Sequence, residues 1–301
     1  MRIVTSKLSG QAFVVVGYLI ALAVALAVGH ALPGMHPIYI AAIADLAATG
    51  VVFTFSILLD NSSVYDPYWS VAPPLVAGYW ASALPSERLG ARQVLILALV
   101  LLWGIRLTAN WGRRWRGPAD EDFRYREIRG KTGRGYWPAS LVSIHILPTI
   151  WVFLGLLPLF PALAWPGDAG LLDLAACLVT VAAIVIETLA DQELRKFLRS
   201  PHQPGEVLQA GLWGRCRHPN YLGEILFWWG LFLFGIAAHP SWAWTIVGPL
   251  SITLLFVFIS VPWMDRHMLA RHAGWAEQMT KTPPLLPWPR RKATVEIGSR
   301  G

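Results

Sequence analysis

The residue types best suited to chemistry lie at the start of an apolar stretch, residues 211–235, which reads GLWGRCRHPNYLGEILFWWGLFLFG. Its polar beginning carries Arg217, His218 and Asn220, and Glu224 follows about one helical turn later. The proline after His218 predicts that a helix starts there. Arginines and the free N–H groups of a helix start favour an anion. This pattern predicts part of a cofactor site; the alternative is that Asn220 and Glu224 only cross-link helices.

Two more acids precede this stretch at helical spacing. Glu187 and Asp191 are four residues apart, so they lie on one helix face, and Arg195 continues that face. We expect Asp191 to order cationic or hydroxyl groups of a bound nucleotide. The alternative is an ion pair between Asp191 and Arg195 at the end of the helix.

A third polar group lies in residues 61–74, NSSVYDPYWSVAPP, where Asp66 has Tyr65 and Tyr68 as neighbours. A carboxylic acid beside a phenol can polarise a carbonyl and deliver a proton if burial raises its pKa. The alternative is that Asp66 only caps a helix whose first residue is the following proline.

Acidic residues are interleaved with arginines between residues 111 and 137, so this segment is not simply polybasic. Arginine forks bind phosphates, and interleaved acids can hold arginines or ribose hydroxyls in place. Contact with lipid headgroups is the plainer explanation for most of the basic residues. The cofactor-binding candidates of this region, including two in the preceding apolar run, are Arg106, Asn110, Arg113, Arg124 and Tyr125.

The elements that must position these residues are membrane helices. Of 301 residues, 55% are hydrophobic and 14% charged, whereas soluble domains carry about 25% charged residues. Sixteen Trp and 22 Pro fit interfacial anchors and interrupted helix ends. In a membrane protein the formal charge of +7 does not indicate nucleic acid, and we expect no disulfide between Cys177 and Cys216.

Eight apolar runs predict a single all-α bundle of seven to eight transmembrane helices without a Rossmann domain. The third run is short and contains Pro73 and Pro74. We expect residues 1–36 to add an N-terminal transmembrane helix, 37–290 to form the bundle and 291–301 to be a flexible cytosolic tail. The runs are 11–31, 37–59, 70–84, 91–110, 138–163, 170–191, 221–238 and 240–264.

The orientation follows from the distribution of Lys and Arg. With eight spans and a cytosolic N-terminus, 22 of the 25 basic residues fall on the cytosolic side. Arg88 and Arg92 stay on the far side, and Arg106 lies within a span. Basic residues favour the cytosolic side of a membrane, so the three large basic segments are predicted to face the cytosol.

Several familiar motifs are absent from the sequence. Gly130-Lys131-Thr132 resembles the end of a phosphate-binding loop, but Tyr125 stands where its first glycine belongs. No Gly-rich dinucleotide motif follows a strand. The eight histidines are scattered without metal-binding spacing, so we predict no metal site.

The combination of motifs resembles the membrane steroid 5-alpha-reductase superfamily, and in particular its bacterial branch. The motif GLWGRCRHPNYLGE is preceded by Glu187 and Asp191 and followed by SVPWMDRHML and PPLLPWP. The similarity covers about residues 61–289. Sterol C14-reductases and isoprenylcysteine carboxyl methyltransferases share similar C-terminal elements, so the motif is specific to a superfamily rather than to one activity.

The resemblance implies a helical bundle that holds NADPH on its cytosolic side and admits an enone from the lipid. The cofactor residues of the family match Asn220, Glu224, Asp191 and His267, while Glu187 stands where animal enzymes carry Asn. The family's Gln-Glu pair, which polarises the enone, aligns with Tyr65 and Asp66, and a family Tyr falls near Trp103. The full cofactor-binding prediction is Arg106, Asn110, Arg113, Arg124, Tyr125, Glu187, Asp191, Arg195, Arg217, His218, Asn220, Tyr221, Glu224 and His267.

We therefore expect an NADPH-dependent oxidoreductase of lipid metabolism that transfers hydride to the beta carbon of a lipid-soluble enone, such as a 3-oxo-Δ4-steroid. Asp66, with Tyr65 or Tyr68, would polarise the carbonyl. The alternative is an S-adenosylmethionine-dependent lipid or prenylcysteine methyltransferase; the many basic residues favour the phosphate-bearing NADPH. A third hypothesis is a lipid-binding membrane protein without catalysis. We expect a monomer in a bacterial inner membrane.

Overall fold

The computed structural model describes residues 6–82, 89–165, 167–203 and 205–286, and all regular structure within them is helical. This confirms the predicted all-α class. The π-helical segment Leu141–Ile146 joins α6 to α7, and a second, Phe256–Ser260, joins α11 to α12. The α-helices are α1 (Lys7–His30), α2 (Pro37–Leu59), α3 (Tyr68–Ser82), α4 (Ala91–Arg114), α5 (Phe123–Thr132), α6 (Tyr136–Ser140), α7 (Leu147–Leu156), α8 (Leu159–Ala164), α9 (Leu171–Arg199), α10 (Pro219–Ala238), α11 (Val247–Leu255), α12 (Val261–Leu269) and α13 (Trp275–Lys281).

Within the described residues, seven helical segments are long and apolar enough to cross a membrane. Large apolar side chains point outward from them; Leu19 is 61% exposed and Phe258 is 69% exposed. Such side chains are suited to contact with lipid, so the chain is an integral membrane protein, as predicted. The segments are Lys7–His30, Pro37–Leu59, Ala91–Arg114, Phe123–Leu156, Leu171–Arg199, Pro219–Ala238 and Pro240–Leu269.

The remaining apolar run forms α3, which is only 15 residues long and contains the two prolines. It begins just after the turn that ends α2 at Asp60. Near its other end, the fully buried Trp80 donates a hydrogen bond from Nε1 to the carbonyl of Pro37, at 3.3 Å. Because Pro37 starts α2, α3 runs antiparallel to α2 between the same two ends.

Close backbone contact between α3 and α4 fixes the position of the chain around the candidate acid. A Cβ atom at Gly104 would lie 2.5 Å from the carbonyl oxygen of Ser70, so only glycine fits there. The Ser70 and Thr108 hydroxyls are 2.9 Å apart, and the rings of Trp69 and Trp103 are in contact. The polar end of α4 is thereby held beside the start of α3.

The chain divides into two compact units: Met1–Val181 with Trp228–Ile252, and Ala182–Phe227 with Thr253–Gly301. The N-terminal helix α1 belongs to the first unit, where the Tyr18 hydroxyl donates to the carbonyl of Val64 at 2.7 Å. Both cysteines are free thiols. The domain boundaries expected from the sequence stay a prediction, and the tail 291–301 lies outside the described residues.

Candidate functional site

In the first unit, the loop after α2 is hydrogen-bonded to the segment that leads into α5. The Asn61 amide donates to the carbonyls of Pro118 and Asp120, at 2.8 and 3.1 Å. The backbone N–H of Ser62 donates to Glu121 Oε1 at 2.9 Å. Asn61 is fully buried. These bonds bring two polar segments together that lie almost 60 residues apart in sequence.

Asp66 lies at this junction and accepts a hydrogen bond from the Tyr125 hydroxyl at 2.7 Å. Asp122 is nearby; its N–H donates to the Ser63 hydroxyl at 2.9 Å, and its carboxylate holds Arg124. Burial and the charge of Asp122 raise the pKa of Asp66 to about 7, although the hydrogen bond from Tyr125 opposes the shift. The arrangement is an acid–phenol pair whose acid titrates near neutral pH.

The two tyrosines beside Asp66 in sequence have other partners. The Tyr65 hydroxyl lies 2.8 Å from the hydroxyl of Thr149, and the Tyr68 hydroxyl donates to Asp45 Oδ1 at 2.7 Å. Both tyrosines are buried. The phenol bonded to Asp66 is therefore Tyr125, which the sequence had suggested only as a cofactor contact. The roles of Asp66, Tyr65 and Tyr68 in catalysis stay predictions.

The other candidates of the first unit lie on α4 and α5. Asn110 is buried, Arg106 half-buried one turn before it, and Arg113 exposed. The guanidinium of Arg124 donates to both carboxylate oxygens of Asp122, at 2.9 and 3.1 Å. Arg113 is thus the most accessible cation of the three arginines, while Arg124 is oriented by an acid.

In the second unit, α10 begins at Pro219, as predicted, but the two residues before it contact a carboxylate of the protein. Arg217 Nη2 donates to Asp265 Oδ2 at 2.7 Å, and His218 Nε2 lies 2.9 Å from Asp265 Oδ1. All three side chains are buried. A buried carboxylate is stable only when it is paired, and Arg217 and His218 are the basic partners of Asp265. The part that Arg217 and His218 would play in binding a cofactor stays a prediction.

The segment after α13 fixes the same turn from the other side. The N–H groups of Arg217 and His218 donate to the carbonyls of Pro283 and Pro284, at 2.9 and 3.1 Å. Arg217 Nη1 donates to the carbonyl of Thr282 at 2.6 Å, and Trp275 Nε1 donates to Asp265 Oδ1 at 3.2 Å. The start of α10 is therefore a rigid platform.

Besides Asp265, three more acids of the described part of the second unit are buried: Glu187 and Asp191 on α9, and Glu224 on α10, all less than 9% exposed. The two helices touch at Gly223, where a Cβ atom would lie 2.4 Å from Glu187 Cγ. Half-buried Asn220 makes no side-chain hydrogen bond to the rest of the described chain. These residues gather carboxylates and a carboxamide where two helices meet.

Three further predicted residues also lie in the second unit. The Tyr221 ring stacks on the His218 ring, with centroids 5.2 Å apart. His267 lies on α12, two residues beyond Asp265, and is half-buried. Arg195 lines an open groove of about 410 Å³ at the end of α9. The remaining lining residues of this groove are Gln192, Lys196, Arg199 and Ser200.

Sequence reasoning assigned no role to Asp265, although the carboxylate organises the start of α10. A signal was available, because an acid within an apolar membrane segment needs a partner. Its two basic partners lie 47 and 48 residues earlier in the chain, and no local pattern connects them to Asp265.

Comparison with known proteins identifies the family. The profile of the family described as "Protein of unknown function (DUF1295)" matches residues 52–281, which includes the candidate residues of both units. A protein of Schizosaccharomyces pombe, "Uncharacterized protein C594.04c", is 26% identical over 247 residues, or 73% of this chain and 71% of the relative. No solved structure matches the chain significantly. With about three quarters of its length matched, the chain belongs to the DUF1295 family.

Proposed function

We propose that this protein uses NADPH to reduce an activated carbon–carbon double bond in a lipid-soluble enone, such as a 3-oxo-Δ4-steroid or a similar isoprenoid. The observation that carries the proposal is the pair of Asp66 and Tyr125. An acid with a pKa near 7 is protonated in about half of the molecules at neutral pH and can donate that proton to a carbonyl oxygen. A preorganised donor of this kind stabilises the negative charge that develops on the oxygen.

Asp66 would donate to the substrate carbonyl, and Tyr125 would hold the carboxyl in position. Tyr125 itself is fixed on α5, while Asp66 precedes α3, so the pair joins two elements. The helices of the first unit expose apolar side chains outward, which suits a substrate that arrives from the lipid.

The second unit offers groups that fit NADPH. Lys196 and Arg199 are exposed in the basic groove, and such side chains bind phosphates. Buried Glu187 and Glu224 can accept hydrogen bonds from ribose or carboxamide groups, and the Asn220 amide can both donate and accept. When bound, NADPH supplies the hydride.

One observation favours a second candidate, an S-adenosylmethionine-dependent lipid or prenylcysteine methyltransferase. Glu187 and Asp191 on α9 and Glu224 on α10 are three buried acids, and Glu187 lies against α10 at Gly223. S-adenosylmethionine carries positive charge and no phosphate, so buried carboxylates suit it. In this alternative the basic groove has no cofactor phosphate to bind.

Ligand-dependent thermal stability in detergent tests the two candidates. A ligand that binds only the folded protein stabilises it, by about 2.7 kcal/mol at a concentration of 100 times Kd. We expect NADPH to raise Tm more than NADH, and S-adenosylmethionine to have no effect. Glu224→Gln and Asn220→Ala should weaken the NADPH shift, whereas Glu206→Gln, at an exposed position, should not.

A shift with S-adenosylmethionine and none with NADPH would overturn the proposal in favour of the methyltransferase. Unchanged NADPH affinity in both Glu224→Gln and Asn220→Ala would remove the start of α10 from the cofactor site.

The proposal includes a cytosolic orientation of the basic segments in a bacterial inner membrane. The distribution of 22 of 25 basic residues supports it. Arg92, one of the two basic residues expected on the far side, is buried and neutralised by Asp173, with Nε 2.6 Å from Oδ1. A neutralised arginine does not oppose the assigned orientation.

A further inference from the structure

A second carboxyl group, that of Asp122, lies beside the acid–phenol pair of Asp66 and Tyr125. The N–H of Asp122 donates to the Ser63 hydroxyl at 2.9 Å, and the N–H of Asp66 donates to the Ser63 carbonyl at 3.2 Å. On the other side, the N–H of Tyr125 donates to the Asp122 carbonyl at 3.1 Å, while its hydroxyl donates to Asp66 Oδ1. Ser63 and Tyr125 therefore hold both acids in one place. Because two neighbouring negative charges repel each other, one of the two carboxyls takes up a proton first.

Arg124 forms a two-pronged ion pair with Asp122. Its Nε donates to Oδ1 at 2.9 Å and its Nη2 donates to Oδ2 at 3.1 Å. The backbone N–H of Arg124 donates to the same Oδ1 at 2.8 Å. Three N–H donors on one carboxylate stabilise its charged form, whereas Oδ1 of Asp66 accepts from a neutral phenol. The donors therefore favour an ionised Asp122 over an ionised Asp66.

The remaining charges around the two acids agree with this assignment. Although burial favours the neutral form of Asp122, the charge and hydrogen bonds of Arg124 hold its pKa below the usual value, and Arg114 of α4 contributes a further positive charge. Burial and the charge of Asp122 raise the pKa of Asp66 to about 7. The other titratable groups that face Asp66 are phenols, which are neutral at this pH: Tyr18 of α1, Tyr65 and Tyr125.

Tyr125 also selects the oxygen of Asp66 that carries the proton. A protonated carboxyl accepts hydrogen bonds on its carbonyl oxygen and donates from the other oxygen. Oδ1 accepts from Tyr125, so Oδ2 carries the proton. This O–H group is the one that would donate to a substrate carbonyl in the proposed reaction.

We propose that Arg124 is a positioning residue that decides which of the two acids carries the proton: it keeps Asp122 ionised and thereby leaves the proton on Oδ2 of Asp66. The inference rests on the proposed function in one respect, that a protonated Asp66 is the productive state. Two other roles compete with it, a purely structural one at the start of α5, where Asp122 is the cap, and the cofactor contact that the sequence predicts. They differ from it in what Arg124→Gln does to the proton.

Infrared difference spectroscopy of the full chain in detergent locates the proton without any activity. A protonated carboxyl has a carbonyl-stretch band that an ionised one lacks. Near neutral pH we expect such a band in wild type, absent in Asp66→Asn and moved to lower pH, but not removed, in Asp122→Asn. The two variants separate the two acids, and Asn at position 122 keeps the oxygen that caps α5. A band that Asp122→Asn removes and Asp66→Asn does not, or no band that depends on Asp66, would overturn the inference.

Arg124→Gln should redistribute the proton. Without the guanidinium, Asp122 competes for it, so we expect a second band, which is absent when Asp122→Asn is added to the same chain. A loss of structure would not be repaired by a second substitution, so this rescue identifies competition between the acids. Arg124→Lys keeps the charge and should keep the single band of Asp66. The matched control Arg126→Gln removes an exposed arginine of the same helix and should resemble wild type. An Arg124→Gln spectrum equal to that of wild type would overturn the inference.

Kinetics with an enone substrate test the consequence for the reaction. Wild-type kcat should fall in one step as the pH rises through neutrality. In Arg124→Gln it should be about twofold lower at neutral pH if the two acids share the proton equally, and adding Asp122→Asn should restore it. The KM for NADPH should stay the same. A raised KM with an unchanged pH profile of kcat would mean that Arg124 contacts the cofactor instead, and would overturn the inference. If wild type reduces no enone, the proposed function fails, and the spectra alone decide about Arg124.

Discussion

Two carboxyl groups of this chain show how partners decide the role of an acid. Asp265 is buried between Arg217 and His218 and serves to hold the start of α10. Asp66 instead has a phenol as its hydrogen-bond partner and a second acid, Asp122, close by. The first arrangement stabilises the charged form, whereas burial and a neighbouring negative charge disfavour it in the second. Only Asp66 is suited to donate a proton near neutral pH.

The raised pKa of Asp66 predicts a pH dependence of stability. The pKa is about 7 in the folded protein and 3.8 for an ordinary Asp, so between these values the folded state binds a proton that the unfolded state has released. The stabilisation is complete below pH 4 and lost as the pH rises to about 7. Thermal unfolding in detergent should show a smaller decrease of Tm between pH 5 and 8 in Asp66→Asn than in wild type.

Asp168→Asn is the matched control, since Asp168 is exposed, and it should follow the wild-type curve. An Asp66→Asn curve parallel to wild type would contradict the raised pKa.

At the scale of helices, the sequence predicted most of the structure. Within the described residues, all eight apolar runs lie mainly on helices, and α10 begins at Pro219. Such features are local: twenty apolar residues suit a membrane span, and proline favours the first turn of a helix. The short third run was hard to interpret because its length alone does not reach across a membrane. Its bond to Pro37 shows that α3 runs back along α2.

The pairing of side chains between helices was not predictable in the same way. Tyr125 reaches Asp66 across 59 positions, and Arg217 reaches Asp265 across 48. A single sequence has no periodicity that connects such positions. The π-helical segment that contains His145 was also missed, because one extra residue in a helical turn leaves no mark on an apolar run.

The contact between α3 and α4 supports a prediction at the same scale. Gly104→Ala would place a methyl group 2.5 Å from the Ser70 carbonyl and 3.0 Å from Pro74. Because both neighbours are held in a helix, we expect a loss of stability of about 1–3 kcal/mol, as for other overpacked sites. Gly78→Ala in α3 has nothing within 4 Å of the new atom and is the control. Equal Tm values for the two variants in detergent would contradict close packing at Gly104.

At the scale of the whole molecule, the candidate residues divide between the two units. The first unit contains the acid–phenol pair, and the second contains the buried acids of α9 and α10 and the basic groove. The proposed reaction assigns proton donation to the first and cofactor binding to the second. The family match spans the candidate residues of both units.

The path of the chain through the membrane gives the last prediction. Met35 lies between α1 and α2, and Arg134 lies between α5 and α6; both are exposed. Helices α2, α3 and α4 separate them, so they face opposite sides of the membrane if α3 crosses it.

We expect a membrane-impermeant thiol reagent to label Met35→Cys in spheroplasts of a bacterial host and Arg134→Cys only in everted vesicles. The native Cys216 is buried and Cys177 half-buried, and the wild-type chain gives the background. Labelling of both variants from the same side would mean that α3 does not cross the membrane. Labelling of Arg134→Cys in spheroplasts and of Met35→Cys only in everted vesicles would reverse the orientation that the basic residues predict.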